Sequence, residues 1–308
     1  MKVWVTGATG LLGREVMKAL LSVPGMEVMG GCHARRAPGC EVVDLTDAAQ
    51  TEAFLERFRP EMIIHAAAER RPDVSEKAPE MVQQLNVAAT GTLARWCARR
   101  GAALAYLSTD YVFDGSSPPY ASDSNPHPIN LYGRSKRAGE EAVIAAGFDR
   151  WWVLRVPILF GPTDRLGESA VTALAEKMLN ARPGEPLEMD HWAIRYPTFT
   201  PDVAAVLRKG VLLERAGTGI RGIQHWSGEE PLTKYAMARA MAPMVGFDPA
   251  CLRPVTVPPP GVPRPKDAHL ISTIEGVART PFLQAVQSVI SGAGVTGHHR
   301  IPQEGYEG

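Results

Sequence analysis

The fold is decided near the start of the chain by the stretch Thr6-Gly7-Ala8-Thr9-Gly10-Leu11-Leu12-Gly13. The apolar run Lys2–Thr6 leads into it, and Leu11–Leu21 carries apolar residues at helical spacing directly after it. A GxxGxxG spacing alone is a weak signal, but a strand before it and a helix after it are the context that a dinucleotide-binding turn requires. The stretch therefore predicts a strand–turn–helix unit that binds a dinucleotide.

Each glycine of this stretch has a separate expected task. Gly7 permits the tight turn, Gly10 lets a pyrophosphate approach the backbone, and Gly13 lets the helix pack closely on the strand. The positive end of the helix dipole adds to the attraction for phosphate. The amides that are expected to face the phosphates are those of Thr9, Gly10, Leu11 and Leu12.

Outward from this stretch, short apolar runs alternate with helical patterns as far as about residue 162. The further strand-like runs are Glu27–Cys32, 62–68, 102–108 and Trp151–Val156. The further helical patterns are a helix capped by Thr46 and Asp47 that reaches Phe58, and stretches 79–99 and 132–146. Such alternation predicts an α/β protein with a doubly wound parallel sheet, the Rossmann architecture, with helices on both faces.

After residue 162 the alternation gives way to helical patterns at 169–179, 201–214, 234–245 and 280–290. We predict a dinucleotide-binding domain over residues 1–162, a smaller α/β domain facing substrate or partner over 163–291, and a disordered tail over 292–308. The sequence Thr200-Pro201-Asp202 predicts a helix start with Thr200 as the cap and Pro201 at the first position. Thr233 is expected to cap the following helix.

The charges of the whole chain cancel, with 33 Lys and Arg residues against 33 Asp and Glu, and 45% of the residues are hydrophobic. This balance predicts a folded core rather than disorder. It also argues against nucleic acid or an anionic membrane surface as the partner. No apolar run approaches the ~20 residues that span a membrane, and the chain begins directly on a strand, so we expect a cytoplasmic protein.

Four cysteines are scattered through the chain without a CxxC pair, and no zinc-binding spacing is present. The sequence therefore predicts neither a disulfide scaffold nor a metal site.

The end of the second strand indicates which dinucleotide binds. A sheet of this type that binds NAD usually places an acid there for the ribose 2′-hydroxyl. This chain has Ala34, Arg35 and Arg36 instead. Guanidinium groups suit a 2′-phosphate, which favours NADP(H) over NAD(H). The alternative is that the two arginines form a solvated charged run.

A second motif follows the strand-like run at 102–108. It consists of Ser108-Thr109-Asp110-Tyr111 and, further on, Tyr132-Gly133-Arg134-Ser135-Lys136 at the start of a helix. Spacing of four puts Tyr132 and Lys136 on one helical face. The free pKa of a tyrosine, about 10, makes it a poor acid near neutrality, and a neighbouring ammonium lowers that value. Thr109 can donate a hydrogen bond to a substrate carbonyl, so Thr109, Tyr132 and Lys136 are the candidate catalytic residues.

In these motifs the chain resembles the extended short-chain dehydrogenase/reductases, and within them the dTDP-4-dehydrorhamnose reductase family, whose members carry STDYVFDG followed by YGxxK. The resemblance is closer still to one branch, the regulatory beta subunits of methionine adenosyltransferase. Segments that carry this match include Ala67-Ala68-Glu69-Arg70-Arg71-Pro72-Asp73-Val74, Glu168-Ser169-Ala170-Val171-Thr172 and His225-Trp226-Ser227-Gly228.

The resemblance implies NADP(H) contacts beyond the phosphate loop. It places Ala34, Arg35 and Arg36 around the 2′-phosphate. Asp44 and Leu45 would lie beside the adenine, and Ala66 and Arg70 at the end of the next strand. Tyr132 and Lys136 would hold the nicotinamide ribose, with Leu159 near the nicotinamide and Asn86 ordering the site.

The resemblance leaves two functions open. Sugar-reducing members typically carry a Trp after the Arg of the sixth strand, whereas this chain has Ile158 after Arg155-Val156-Pro157. That difference favours an NADP(H)-binding regulatory subunit, which forms a hetero-oligomer with the methionine adenosyltransferase catalytic subunit and modulates S-adenosylmethionine synthesis. The alternative is an NADPH-dependent reductase of a 4-keto nucleotide-sugar, since the Thr–Tyr–Lys set is intact.

Overall fold

The computed structural model describes residues 1–182 and 184–294 of the chain. Its strands are β1 (Lys2–Thr6), β2 (Glu27–Cys32), β3 (Cys40–Val42), β4 (Met62–His65), β5 (Ala103–Thr109), β6 (Trp151–Val156), β7 (Leu159–Phe160), β8 (Leu187–Asp190), β9 (Thr198–Phe199), β10 (Gly222–His225) and β11 (Leu252–Val255). Its α-helices are α1 (Leu11–Leu21), α2 (Ala48–Phe58), α3 (Pro72–Lys77), α4 (Pro79–Val82), α5 (Ala89–Arg100), α6 (Leu131–Ala145), α7 (Thr172–Leu179), α8 (Thr200–Arg215), α9 (Lys234–Met241) and α10 (Phe282–Gly292).

Seven of these strands form one parallel sheet in the order β10-β6-β5-β4-β1-β2-β3. The order reverses beside β1. The chain first adds β2 and β3 on one side of β1, and then crosses back to add β4 and the later strands on the other side. In open parallel sheets a crevice for ligands forms at that point, outside the carboxyl ends of the strands. The predicted Rossmann fold class is confirmed.

The two faces of the sheet are covered by different helices. On one face α1 and α8 pack over residues such as Val5, Ile64 and Leu154. On the other face α2 and α5 pack over Trp4, Ile63 and other residues of the central strands. The central strands are buried on both faces, which explains their continuous apolar runs.

A separate hydrophobic cluster lies in the second half of the chain, formed by α7, α9 and α10 with the two-stranded β8–β11 sheet. The division of the chain into domains 1–162 and 163–291 stays a prediction. The main sheet nevertheless includes a strand from beyond residue 162, because β10 pairs with β6. The helical layer on one face likewise includes α8, which packs on α1. A strand of only four residues, Gly222–His225, carries too short a pattern to be assigned to one sheet or another from sequence.

Two helix starts differ in an instructive way. Thr233 caps α9, since its hydroxyl accepts a hydrogen bond from the Ala236 amide at 3.1 Å. Thr200 was expected to cap α8, but the cap position is Phe199 and Thr200 is the first helical residue. Its buried hydroxyl has no hydrogen-bond partner among the described residues. The prediction of Thr200 as the cap was wrong because Pro201 fits the second helical position as well as the first.

The pattern predicted as one helix over 79–99 is divided. α4 passes through a π-helical segment, Gln83–Ala88, before α5 begins. The predicted tail begins where α10 ends, and residues 295–308 lie outside the described residues. None of the helices described is long and apolar enough to cross a membrane.

Candidate functional site

A cavity of 1130 Å³ runs along the carboxyl ends of the parallel strands. Of the residues that the sequence assigned to catalysis or to direct contact with NADP(H), all but Arg36 line it. Those residues are Thr9, Gly10, Leu11, Leu12, Ala34, Arg35, Asp44, Leu45, Ala66, Arg70, Thr109, Tyr132, Lys136 and Leu159. The fold thus brings together residues spread over 150 positions of sequence. Most of them follow strands that end at one edge of the sheet, and α6 supplies Tyr132 and Lys136.

The phosphate loop has the geometry that the glycine spacing predicts. Gly7 adopts a φ of 66° in the left-handed region, and its carbonyl accepts a hydrogen bond from the Gly10 amide at 2.9 Å. A Cβ on Gly13 would lie 2.1 Å from that same carbonyl oxygen. The loop is therefore a tight turn held against the start of α1, and its open side at Gly10 fits a dinucleotide pyrophosphate.

The two arginines after β2 diverge. Arg35 reaches across the phosphate loop, where its Nη1 donates to the Thr9 carbonyl at 3.2 Å. Arg36 is exposed and lines a shallow neighbouring hollow beside Cys40 and Val42. Consecutive side chains of a bend point in different directions, so only Arg35 faces the cavity, and the assignment of Arg36 to the 2′-phosphate stays a prediction.

Asp44 lines the cavity beside Leu45 and also shapes the turn there. Its carboxylate accepts hydrogen bonds from the Thr46 amide at 2.9 Å and from the Thr46 hydroxyl at 2.7 Å. These bonds hold the pKa of Asp44 below its usual range. The group is therefore a fixed hydrogen-bond acceptor at this part of the cavity.

α6 positions Tyr132 and Lys136 in its first two turns. Asn130 caps this helix by accepting a hydrogen bond from the Gly133 amide at 2.8 Å. Lys136 is buried, and its Nζ lies 4.2 Å from the centre of the Tyr106 ring. Burial lowers the pKa of Lys136 to about 7, against the opposing charge of Glu140. Burial also raises the pKa of Tyr132, and the Thr109 hydroxyl counteracts part of that rise.

Thr109 lies beside a buried acid. Its hydroxyl donates to Oδ1 of Asp110 at 3.0 Å and accepts from the Tyr111 amide at 3.2 Å. Burial raises the pKa of Asp110 to about 6, although the charge of Arg195 opposes the rise. Loss or gain of the Asp110 proton near pH 6 thus changes the strength of the hydrogen bond that the Thr109 hydroxyl donates to this carboxyl group.

The low pKa of Lys136 leads to a testable pH dependence of stability. The unfolded chain keeps this ammonium up to the ordinary lysine value, whereas the folded protein releases the proton near pH 7. Between these values the unfolded state binds more protons, so the folded state gains stability as pH rises, by at most about 1.4 kcal/mol per pH unit.

We expect this gain to disappear in Lys136→Met, which keeps the length of the side chain without the amine. Urea unfolding of both proteins at pH 6, 7, 8 and 9 measures the difference. If the free energy of unfolding changes with pH by the same amount in both proteins, the expected titration of Lys136 is contradicted.

The other end of the cavity is lined by three cations, Arg195, Lys234 and Arg264. Arg195 lies over the Tyr111 ring, 5.7 Å from its centre, and Arg264 pairs with Asp73 at 2.7 Å. Burial lowers the pKa of Lys234, and the charges of Arg264 and Arg195 lower it further. Three cationic side chains at one cavity favour an anionic ligand there.

The sequence did not indicate that these three cations lie together. It also did not indicate the pairing of Arg14 with Glu168. Arg14 follows the glycine stretch directly, but Glu168 lies 154 positions away, so no spacing pattern could have joined them. Asn86 is buried in the π-helical segment, and its expected role in ordering the site stays a prediction. Its Nδ2 donates to Ser135 Oγ at 3.0 Å and so links the π-helical segment to α6. Among residues 1–182 and 184–294 no cluster of metal-binding side chains forms.

The family described as RmlD substrate binding domain matches residues 1–292 of the chain. The methionine adenosyltransferase 2 subunit beta of Xenopus tropicalis is 45% identical over 283 residues, which cover 90% of this chain and 84% of that protein. A dTDP-4-keto-6-deoxy-D-glucose reductase of Streptomyces niveus is 33% identical over 252 residues, covering 82% and 81% of the two chains.

Among solved structures, a dTDP-4-dehydrorhamnose reductase of Bacillus anthracis in complex with NADP superposes with a TM-score of 0.79. The match covers 94% of this chain and 98% of that one at 23% identity. The superposition shows that the two proteins share a fold, and at this identity it shows the fold alone.

Proposed function

The chain belongs to the RmlD substrate binding domain family, and from that premise we propose that it is an NADP(H)-binding regulatory beta subunit of a methionine adenosyltransferase. The observation that carries the proposal is the 45% identity to a subunit of that name along nine-tenths of the chain. The aliphatic Ile158 lines the cavity where sugar-reducing relatives are expected to carry an aromatic ring, which supports the same reading.

The residues along the cavity fit NADP(H). In this proposal the amides from Thr9 to Leu12 hold the pyrophosphate and Arg35 holds the 2′-phosphate. Asp44 and Leu45 lie at the adenine, while Tyr132 and Lys136 hold the nicotinamide ribose with Leu159 nearby. Ala34, Ala66 and Arg70 complete the lining.

The proposed role is to associate with the catalytic subunit as a hetero-oligomer and to modulate S-adenosylmethionine synthesis. We also propose a cytoplasmic location, because the four cysteines, Cys32, Cys40, Cys97 and Cys251, are free thiols of the kind that a reducing compartment maintains. Fractionation of the source cells tests the location.

The function is tested by mixing the purified protein with the methionine adenosyltransferase of the same cells. We expect co-elution in size-exclusion chromatography and a changed kcat or KM for S-adenosylmethionine formation. The variant Tyr132→Phe serves as a matched control, since it keeps the ring and removes only the hydroxyl, and we expect it to form the same complex. Separate elution together with unchanged kinetics would reject the proposal.

A second function is favoured by the geometry of Thr109, Tyr132 and Lys136, which all line the same cavity as the cation cluster. This function is reduction of a 4-keto nucleotide-sugar, whose diphosphate would lie at Arg195, Lys234 and Arg264. NADPH, when bound, supplies the hydride. Tyr132 donates the proton to the developing alkoxide, the Lys136 ammonium, one helical turn further along α6, stabilises the phenolate, and Thr109 donates a hydrogen bond to the carbonyl oxygen.

Loss of NADPH absorbance with dTDP-4-dehydrorhamnose measures this activity. The reductase reading predicts turnover that falls by at least about a hundredfold in Tyr132→Phe, within the usual contribution of a general acid. No turnover, or equal turnover in the variant, would exclude it and leave the regulatory function standing.

A further inference from the structure

Glu168 contacts three arginines that belong to three separate segments of the chain at the cavity. Its Oε1 and Oε2 each lie 2.8 Å from Arg14, in the forked arrangement of a carboxylate and a guanidinium. Oε1 also lies 3.4 Å from Nη1 of Arg35. The backbone carbonyl of Glu168 accepts a hydrogen bond from Nη2 of Arg70. One residue of the second half of the chain thus joins the start of α1 to the ends of β2 and β4.

The carboxylate of Glu168 is built into its place. Its side chain is only 13% exposed, and the Thr163 hydroxyl donates to Oε2 at 2.8 Å. Burial raises its pKa, but the hydrogen bonds from Arg14 and Thr163 and the charges of Arg14 and Arg35 lower it to about 2. Glu168 is therefore a permanent negative charge between two guanidinium groups.

That charge determines where Arg35 lies. Nη1 of Arg14 and Nη1 of Arg35 both donate to the Thr9 carbonyl, at 3.0 and 3.2 Å, so two like charges lie side by side. Like charges this close repel, and their attraction to a carboxylate between them offsets that repulsion. Without Glu168, the guanidinium of Arg35 has only the exposed Asp164 to oppose that repulsion.

The contacts of Arg35 with the described residues all use one nitrogen. Nη1 donates to Thr9 and lies 3.4 Å from both Asp164 and Glu168. The edge formed by Nε and Nη2 stays available for two parallel hydrogen bonds, the geometry in which arginine recognises a phosphate.

We propose that Glu168 is a positioning residue for dinucleotide specificity: it holds Arg35 beside the phosphate loop, with one guanidinium edge directed to a 2′-phosphate, and so sets the preference for NADP(H) over NAD(H). The inference rests on the proposed NADP(H) binding. Glu168 does not touch the 2′-phosphate in this arrangement and acts through Arg35.

Glu168→Gln tests the inference, because it removes the charge and keeps the shape. Dissociation constants for NADPH and NADH, measured by nicotinamide fluorescence, give the preference as a ratio. We expect the NADPH:NADH preference to fall roughly tenfold, since a charge-assisted hydrogen bond loses its geometry. Asp164→Asn is the matched control. It removes a charge at the same distance from Arg35, but its side chain is 69% exposed, so we expect less than about a threefold change.

A double-mutant cycle separates positioning from general damage. Arg35→Ala removes the group on which Glu168 acts, so Glu168→Gln should lower the preference little further in that background. An equal loss of NADPH and NADH affinity in Glu168→Gln, or additive losses in the cycle, would overturn the inference. If Glu168→Gln fails to fold, the NADPH:NADH preference is measured in Glu168→Asp instead. This variant keeps the charge but shortens the side chain, so it withdraws the carboxylate from Arg35. A wild-type protein that binds neither dinucleotide would instead reject the NADP(H) part of the proposed function.

Discussion

Gly13→Ala is expected to abolish NADP(H) binding and to destabilise the protein. The added Cβ would lie 2.1 Å from the Gly7 carbonyl oxygen and 2.7 Å from the Cα of Ala8. Both obstacles are backbone atoms of the phosphate loop, so no side chain can rotate away to make room. The start of α1 must therefore separate from the loop, which costs at least the roughly 1–3 kcal/mol of an overpacked core. The same movement takes the amides of the loop away from the position of the pyrophosphate.

Gly10→Ala is the matched control for this prediction. A Cβ there would meet only the Gly7 carbonyl oxygen, at 3.2 Å, and Gly10 has a φ of −78° that alanine adopts readily. We expect this variant to keep most of its thermal stability and still to lose dinucleotide affinity, because its methyl group lies on the open side of the loop. Thermal melting and NADPH titration of the two variants measure both effects. Wild-type affinity in Gly13→Ala would show that the loop does not hold the pyrophosphate.

Arg155→Met is expected to lower the free energy of unfolding by about 3 kcal/mol, the lower end of the range for a broken buried ion pair, since Glu140 loses its buried partner and keeps the part-buried Arg137, whose Nη1 lies 3.2 Å from Oε2. Arg155 in β6 and Glu140 in α6 are almost completely buried, with Nε–Oε1 and Nη2–Oε2 distances of 2.8 and 2.7 Å. The Ser108 hydroxyl donates to the same carboxylate at 2.6 Å. Sulfur and methylene groups can fill the space of the guanidinium but cannot neutralise Glu140.

Two further measurements identify the cause of that loss. The double variant Arg155→Met with Glu140→Leu removes both charges, and we expect it to be more stable than the single variant because no unpaired charge remains. A double variant that is less stable than the single one would show that shape, rather than charge, decides the stability of this region.

The pH dependence should also reverse in sign. In the wild type, burial raises the pKa of Glu140, but the hydrogen bond and charge of Arg155 bring it below its ordinary value. The pair therefore stabilises the protein above the unfolded glutamate pKa, about 4.5, and this contribution is lost as pH falls through the folded value. In Arg155→Met, burial raises the pKa of Glu140 against the hydrogen bonds of Ser108 and Arg137 but no longer against Arg155, so the deficit in stability relative to wild type should shrink as pH falls from 8 to 5. Urea unfolding at these two pH values measures it.

The site residues that could be predicted belong to local patterns. The glycine turn depends on conformations of neighbouring residues, so the stretch from Thr6 to Gly13 indicates both a strand–helix unit and its ligand. Tyr132 and Lys136 are four residues apart, and the periodicity of a helix places them on one face wherever the helix lies. Because parallel strands end at one edge of a sheet, the residues after β1, β2, β4 and β5 could be assigned to one cavity before their distances were known.

Long-range pairs could not be predicted in the same way. Glu168 reaches Arg14 and Arg35 only because residues 163–168 fold back over the phosphate loop, and nothing in the spacing of these charges indicates it. Arg195, Lys234 and Arg264 likewise approach one another from separate segments of the second half.

Local sequence was thus sufficient for the Rossmann sheet, the phosphate turn and the Tyr132–Lys136 pair, because φ preferences, helical periodicity and strand alternation act between neighbours in the chain. Chain packing was needed to show that Arg35 lines the cavity while Arg36 does not, and that Glu168 lies beside Arg35 there. The physical reason is that the energy of a charge depends on the positions and burial of its neighbours in space, and these follow from the packing of the whole chain.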